Sequence, residues 1–370
     1  MRNHNIRGNK RTSSLFWKRL LALCLAALTA GCAWGCGSGE DTDDLSAALE
    51  ETRAWLAEQV SEPAPGPIGG EWTVVALSRS GTDVPGAGED YFQQYLSAAD
   101  QYVKAAGGVL HSKTGYKYTE YARMILGVTA AGGDVTDIGG YNFLEKLTDM
   151  ENVQRQGVNG PIWTLIAYDC GGYEIPGGSQ DAAGSQDASG SRQPGQTTRE
   201  ALIQAILDKQ LADGGWNLSE DTADPDMTAM ALTALAPYYT GEAARAEEVS
   251  AETLDAVKAA VDKGISRPSE LQQEDGGYAS MDSDASESCS QVVTALSALG
   301  IDSRTDDGFV KEEGSVLDAL LRYRDKESGA FRHSVQDAET NLMSTEQACY
   351  AMAAYARWQN GEKALYDMTE

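Results

Sequence analysis

The feature that most constrains this chain is a segment that recurs six times between residues 71 and 355. Asp226-Met-Thr-Ala-Met-Ala-Leu-Thr-Ala-Leu-Ala236 lines up with Glu287-Ser-Cys-Ser-Gln-Val-Val-Thr-Ala-Leu-Ser-Ala-Leu299 and with Glu346-Gln-Ala-Cys-Tyr-Ala-Met-Ala-Ala-Tyr355. Each is an acid followed by an alanine-rich stretch apolar on nearly every helical face. Weaker copies stand at Glu71–Leu77, Glu120–Gly127 and Gly160–Ala167, the last without the acid. A helix that is apolar all round has to be covered on all sides, so these six are expected to be inner helices. Amphipathic segments alternate with them at Asp44–Val60, Tyr91–Ala106, Tyr141–Met150, Thr197–Leu211, Leu254–Ile265 and Val316–Arg324. No run of β-branched alternation interrupts the pattern. The expected class is all-α, built from six stacked helical hairpins, and a stack of six can close on itself.

The joints between helices repeat as well. Lys209-Gln210-Leu-Ala-Asp213-Gly214-Gly215-Trp216 matches Gln272-Gln273-Glu-Asp275-Gly276-Gly277-Tyr278, and Glu327-Ser-Gly329-Ala-Phe331 and Thr114-Gly115-Tyr116 are decayed copies. Glycine suits a left-handed helix stop, and the aromatic is expected to fold back over it.

The Gln-x-x-Asp-Gly-Gly-Trp joint resembles the repeat motif of squalene and hopene cyclases. Over roughly residues 65 to 358 the pattern resembles the α/α toroid superfamily of terpenoid cyclases, protein prenyltransferase β subunits and transcobalamin-type carriers. The resemblance implies an α6/α6 toroid. It does not choose an activity, because carriers and enzymes share the fold. Carriers of the transcobalamin type complete their ligand site with a second domain, for which this sequence offers no counterpart, so cobalamin is not the expected ligand.

The first residues read as a targeting segment. Arg2, Arg7, Lys10, Arg11, Lys18 and Arg19 precede the apolar run Leu20–Ala30, which is too short to span a bilayer as a helix. Thr29-Ala30-Gly31-Cys32 resembles a bacterial lipobox, which implies lipidation of Cys32 and a place on the outer face of the cell membrane. An ordinary cleaved signal is the plain alternative, and either one exports the protein. The expected organisation is a signal peptide at 1–31, a flexible tether at 32–43, the toroid at 44–360 and a tail at 361–370. A Gly/Ser/Gln/Asp-rich insert at 177–197 contains three copies of a six-residue unit and is expected to be disordered. Six cysteines, without a CxxC pair, are too few to staple a domain this size. Cys289 and Cys349 are expected to be buried small hydrophobes, with a disulfide between them as the alternative.

Fifty-six acidic residues against 29 basic ones exclude a nucleic-acid partner, since binding phosphates needs a basic surface. If the inner helices run in one direction, Glu71, Glu120, Asp226, Glu287 and Glu346 gather at one mouth of the barrel. Acids there also complement helix dipoles and free N–H groups, which is the preferred reading of Glu71 and Glu120 and stays open for Asp226 and Glu287. Trp72, Tyr116, Tyr118, Tyr121, Trp163 and Tyr350 lie near the same helix starts. They line a concave ligand site or simply fill the barrel.

Asp224-Pro-Asp226-Met227-Thr228-Ala229 resembles the Asp-x-Asp-Asp-Thr-Ala segment of class II terpenoid cyclases. By that resemblance Asp226 is the proton donor and Asp224 its neighbour. Met227 replaces the last carboxylate, and only five phenylalanines are available to stabilise carbocations, which argues against cyclisation. Glu287-Ser-Cys289 has the spacing of the zinc-binding Asp-x-Cys of prenyltransferases, but Gln347 stands where the histidine ligand belongs. His4, His111 and His333 are the only histidines and none starts an inner helix, so no complete zinc site and no cofactor are expected. The acidic loops at 220–226 and 282–286 read as solvated rather than as calcium sites. The expected function is noncatalytic binding of a small molecule or protein partner at the mouth. The alternative is a cyclase- or prenyltransferase-like enzyme with Asp226 as general acid.

Overall fold

The computed structural model describes residues 39–110, 118–177, 195–219, 221–280 and 283–369. The targeting segment with Cys32, the joint at Thr114–Tyr116 and nearly all of the insert lie outside the described residues. The chain divides into two compact units, residues 1–47 and 48–370. Of the first, only the start of one helix is described. The helical repeats and the site belong to the second.

The described residues are helical apart from turns and two short antiparallel hairpins, so the all-α class holds. Twelve α-helices alternate in two sets among the described residues. The even-numbered ones are α2 (Glu71–Arg79), α4 (Tyr118–Ala130), α6 (Asn159–Asp169), α8 (Pro225–Thr240), α10 (Ser286–Ala298) and α12 (Leu342–Gln359). The odd-numbered ones are α1 (Gly39–Gln59), α3 (Tyr91–Ala105), α5 (Met150–Gln154), α7 (Arg199–Leu207), α9 (Ala251–Leu271) and α11 (Val316–Arg322). Each even helix packs on the next even helix, and α12 packs on α2. The odd helices α5, α7, α9 and α11 pack against even ones. None of the described helices is long and apolar enough to cross a membrane.

The two sets differ as their patterns require. Helix α3 buries Tyr91, Tyr95, Ala99 and Val103, a single stripe at four-residue spacing. Helix α12 buries every residue from Ala348 to Tyr355. Helix α10 is buried just as deeply although it is rich in hydroxyls. Ser290, Thr294 and Ser297 donate to the carbonyls of Ser286, Ser290 and Val293 at 2.8–2.9 Å, so their polar groups are satisfied inside the helix.

Several boundaries differ from expectation. Helix α1 begins at Gly39, inside the stretch expected to be a flexible tether. Residues 141–150 do not form one helix. A 3₁₀ turn at Leu144–Leu147 gives way to α5 because Asp149 caps a new helix, accepting from the Asn152 N–H. Helix α7 stops at Leu207, and the residues after it become the joint. Helix α9 runs on to Leu271 with Pro268 in its last turn. Helix α12 begins at Leu342, capped by Asn341, so Glu346 sits in its second turn rather than at its start.

The joints hold by one repeated device. Gln210 Nε2 donates to the Gly214 carbonyl at 2.7 Å and to the Ala260 carbonyl at 2.8 Å. Gln272 does the same to Gly276 and Phe309, both at 2.9 Å, and so fills the place of Gln210 in the second joint. Gly214 (φ +104°) and Gly276 (φ +85°) occupy backbone space that disfavours a side chain. Trp216 and Phe331 both follow the turn, are fully buried, and donate their backbone N–H to Thr228 and Thr345 at 2.9 Å. Each of these threonines lies in the first turns of the next even helix, so the joint fixes where that helix begins.

Candidate functional site

The even helices present their N-terminal halves to one cavity of about 660 Å³. Trp72 comes from α2, Thr119 and Arg123 from α4, and Asn159 and Trp163 from α6. Asp226, Met227 and Met230 come from α8, Gln291 from α10, and Gln347 and Tyr350 from α12. Asp224 and the loop 217–219 complete the lining. The volume lies in the range that encloses small organic ligands. A second space, near the opposite ends of α6 and α8, measures about 60 Å³ and has room for little more than water.

One wall is aromatic. Trp72 lies 5.1 Å from Trp163 and 6.1 Å from Tyr350, centroid to centroid, in tilted arrangements. Tyr350 donates to Gln347 Oε1 at 3.0 Å and accepts from Gln291 Nε2 at 2.6 Å, which also reaches Gln347 at 2.9 Å. This locks three lining side chains in place. Of the other aromatics expected at the mouth, Tyr121 does not reach the cavity. It is buried against Phe143, 5.6 Å away, and accepts from the Leu110 N–H at 3.0 Å.

The five acids expected at the helix starts separate into distinct roles. Glu71 is fully buried behind the rim, where Arg123 Nε donates to it at 2.7 Å and Tyr95 and the Gly66 N–H add weaker bonds. Burial pushes its carboxyl up and Arg123 pulls it back part of the way. Glu120 takes the other end of the same guanidinium. Glu346 is buried too, accepting from the Gly69 N–H at 2.9 Å and from the Thr73 hydroxyl, and burial pushes it up to about 7. Two of the three hold helices together, Glu346 tying α12 to α2 and Glu71 tying α2 to α4, while Glu120 pairs with Arg123 within α4.

Glu287 forms a cluster that the helix pattern did not show. Its Oε2 lies 2.7 Å from His333 Nδ1, and its Oε1 accepts from Ser344 at 2.5 Å. The His333 carbonyl accepts from the Ser286 N–H at 2.9 Å, so the loop before α12 clasps the start of α10 by backbone and side chain together. Asp284 strengthens the clasp, accepting from the Ser334 hydroxyl at 2.6 Å and the Val335 N–H at 2.8 Å. Arg123, Ser344 and His333 are thus the site-building residues that sequence reasoning missed.

Asp224 and Asp226 both line the cavity but are not equivalent. Asp224 is the cap of α8, accepting from the Met227 N–H at 2.8 Å, with Pro225 at the first helical position. Asp226 is left over. Its Oδ1 is buried without a hydrogen-bond partner among the described residues. The Ser288 hydroxyl lies near and favours the ionised form, but it falls outside hydrogen-bond geometry and is itself unpartnered among the described residues. Burial pushes the Asp226 carboxyl up to about 6, with Asp224 and Glu287 raising it further and His333 acting against them.

Cys289 and Cys349 are free and fully buried, with burial pushing both thiols up to about 12, so they pack as small apolar side chains and form no disulfide. Among the described residues no three His, Cys, Asp or Glu side chains are grouped to hold a metal ion, and Cys289 is not part of the Glu287 cluster. No protein-family model and no curated protein sequence matches this chain.

Proposed function

We propose that the chain is an α/α toroid of six hairpins whose mouth captures a small organic molecule without transforming it. The toroid is supported by the succession of even helices, each packed on the next and the last on the first. Capture is supported by one observation above the others: a cavity of about 660 Å³ with an aromatic wall and a carboxylate, Asp226, whose Oδ1 the protein leaves unpartnered among the described residues. A polar group kept buried without a partner costs on the order of 1–3 kcal/mol. A ligand that supplies the missing donor removes that cost. The lipobox-like Thr29-Ala30-Gly31-Cys32 supports export and anchoring through Cys32. A protein that offers a side chain to the same mouth is the other partner class, and the acidic charge balance argues against nucleic acid.

Filling the cavity tests this reading. Met230→Trp places an indole into the lining and is expected to abolish small-molecule binding seen by calorimetry while leaving the helical circular dichroism unchanged. Unaltered binding in that variant would place the ligand elsewhere and end the proposal.

A second reading is favoured by the Asp226 carboxyl, which at about 6 holds a proton close to neutral pH inside an aromatic-lined cavity. It is a cyclase- or prenyltransferase-like enzyme with Asp226 as general acid and Asp224 beside it. The same carboxyl is a weak acid for protonating an alkene, because nothing nearby among the described residues stabilises its anion strongly. Incubation with squalene-like polyenes decides the matter: turnover by the wild type that disappears in Asp226→Asn would replace capture with catalysis.

A further inference from the structure

We infer that the molecule taken up at the mouth is an organic cation, a flat or branched apolar body carrying an ammonium group, and not an anion such as a diphosphate ester. The inference rests on the capture reading of the cavity and adds the ligand's chemical class. Three observations carry it.

The first is the state of the charges. Arg123 is the only Lys or Arg lining the cavity among the described residues, and its guanidinium is already held by Glu71 and Glu120. An incoming phosphate would have to displace a carboxylate from it. The Oδ1 of Asp226, by contrast, is held by nothing among the described residues. The second is the balance between helix ends and acids. Six helix N-termini favour an anion by roughly half a charge each. With Arg123 added they still fall short of the five carboxylates Asp224, Asp226, Glu71, Glu120 and Glu287 around them. Four of those acids sit in the first turns of α2, α4, α8 and α10 and answer the helix ends directly.

The third is the wall. Trp72, Trp163 and Tyr350 form one connected set of rings, and tryptophan faces attract cations more strongly than other aromatic side chains do. Met227 and Met230 supply polarizable surface for the apolar body. A carboxylate oxygen without a partner and a set of indole rings in one cavity recognise a cation by two independent means. The titratable groups facing Asp226 are Asp224 at the cap of its own helix, Glu287 on α10 and His333 from the loop before α12.

Three probes with one benzyl body separate the possibilities by calorimetry at pH 7.5: benzyltrimethylammonium, benzyl alcohol and benzyl phosphate. The cation is expected to bind at least tenfold more tightly than the alcohol, and the phosphate more weakly than either. Asp226→Asn is expected to remove the preference for the cation over the alcohol. Trp72→Leu, which leaves the carboxylate intact, is expected to weaken the cation more than the alcohol. Equal binding of cation and alcohol, tighter binding of the phosphate, or a cation preference that survives both substitutions overturns the ligand class. Those outcomes leave capture standing as long as Met230→Trp still abolishes binding of whichever probe binds. Absence of heat with all three probes overturns the capture reading as well.

Discussion

Glu71 and Asp226 occupy matching places, each within the first two residues of an even-numbered helix, yet the protein treats them in opposite ways. Glu71 is fully buried and surrounded by donors, with Arg123, Tyr95 and the Gly66 N–H all turned toward it. Asp226 lines the cavity, and its Oδ1 has no partner among the described residues. One acid is tied into the framework by donors, and the other has an oxygen that no donor among the described residues reaches. An acid at a helix start is therefore not a functional signal by itself. What separates the two is whether a donor reaches it from another helix.

The comparison breaks most sharply under substitution. Glu71→Ala leaves Arg123 part-buried with only Glu120, and is expected to cost about 3–5 kcal/mol, as for a broken buried ion pair. Urea denaturation measures it, and a loss under ~1 kcal/mol, the scale of an exposed pair, would remove Glu71 from the framework.

The pH dependence comes next. Glu346 and Asp226 both have carboxyls raised by burial, to about 7 and about 6. Between its ordinary value and its raised one, each binds more protons in the folded state than in the unfolded chain, so these two groups favour folding at low pH. Their contribution weakens as pH rises from about 4 to about 7. For Glu346 alone the change is about 3 kcal/mol at ~1.4 kcal/mol per pKa unit. Glu346→Gln keeps an acceptor for Gly69 and Thr73, and is expected to flatten this part of the stability–pH curve and to raise stability at pH 8. A curve unchanged by the substitution would contradict the assignment.

Asp226→Asn is expected to have the opposite sign from Glu71→Ala, stabilising the fold by about 1–2 kcal/mol above pH 7 because a partly buried, unpaired charge is removed. The smallest effect lies away from the mouth. Trp216→Phe deletes the indole N–H that donates to the Ile206 carbonyl at 2.8 Å, and is expected to cost about 1 kcal/mol by thermal unfolding with no change in binding.

The helices were legible because their signals are local. Apolar coverage on all faces marked α8, α10 and α12, and a four-residue stripe marked α3, so periodicity alone separated the two sets. The joints were legible because glycine, aspartate and glutamine each do a fixed job within seven residues. Helix ends were less so: α7 stops at Leu207 and α5 starts at Met150 for reasons of capping and turn bonding that compete with periodicity. At the site, Asp226, Trp72, Trp163 and Tyr350 were found from their positions at helix starts. Arg123 and His333 were not. Their partners Glu71 and Glu287 are 52 and 46 residues away, and no period along one helix connects them. His333 looked unimportant because it starts no helix, yet its loop is held to α10 by its carbonyl as well as its ring. Glu71, Glu120 and Glu346 were grouped with Asp226 by sequence, and only the donors around each tell them apart.

Capture of a cation at an unpartnered carboxylate is tested most directly by the titration of Asp226 itself, followed through its carboxyl carbon by NMR and assigned with Asp226→Asn. The expected result is a pKa of about 6 in the free protein and a clear fall when benzyltrimethylammonium saturates the mouth, because the cation gives the carboxylate the partner it lacks. An ordinary aspartate value in the free protein, or a raised value that the cation does not move, would contradict it.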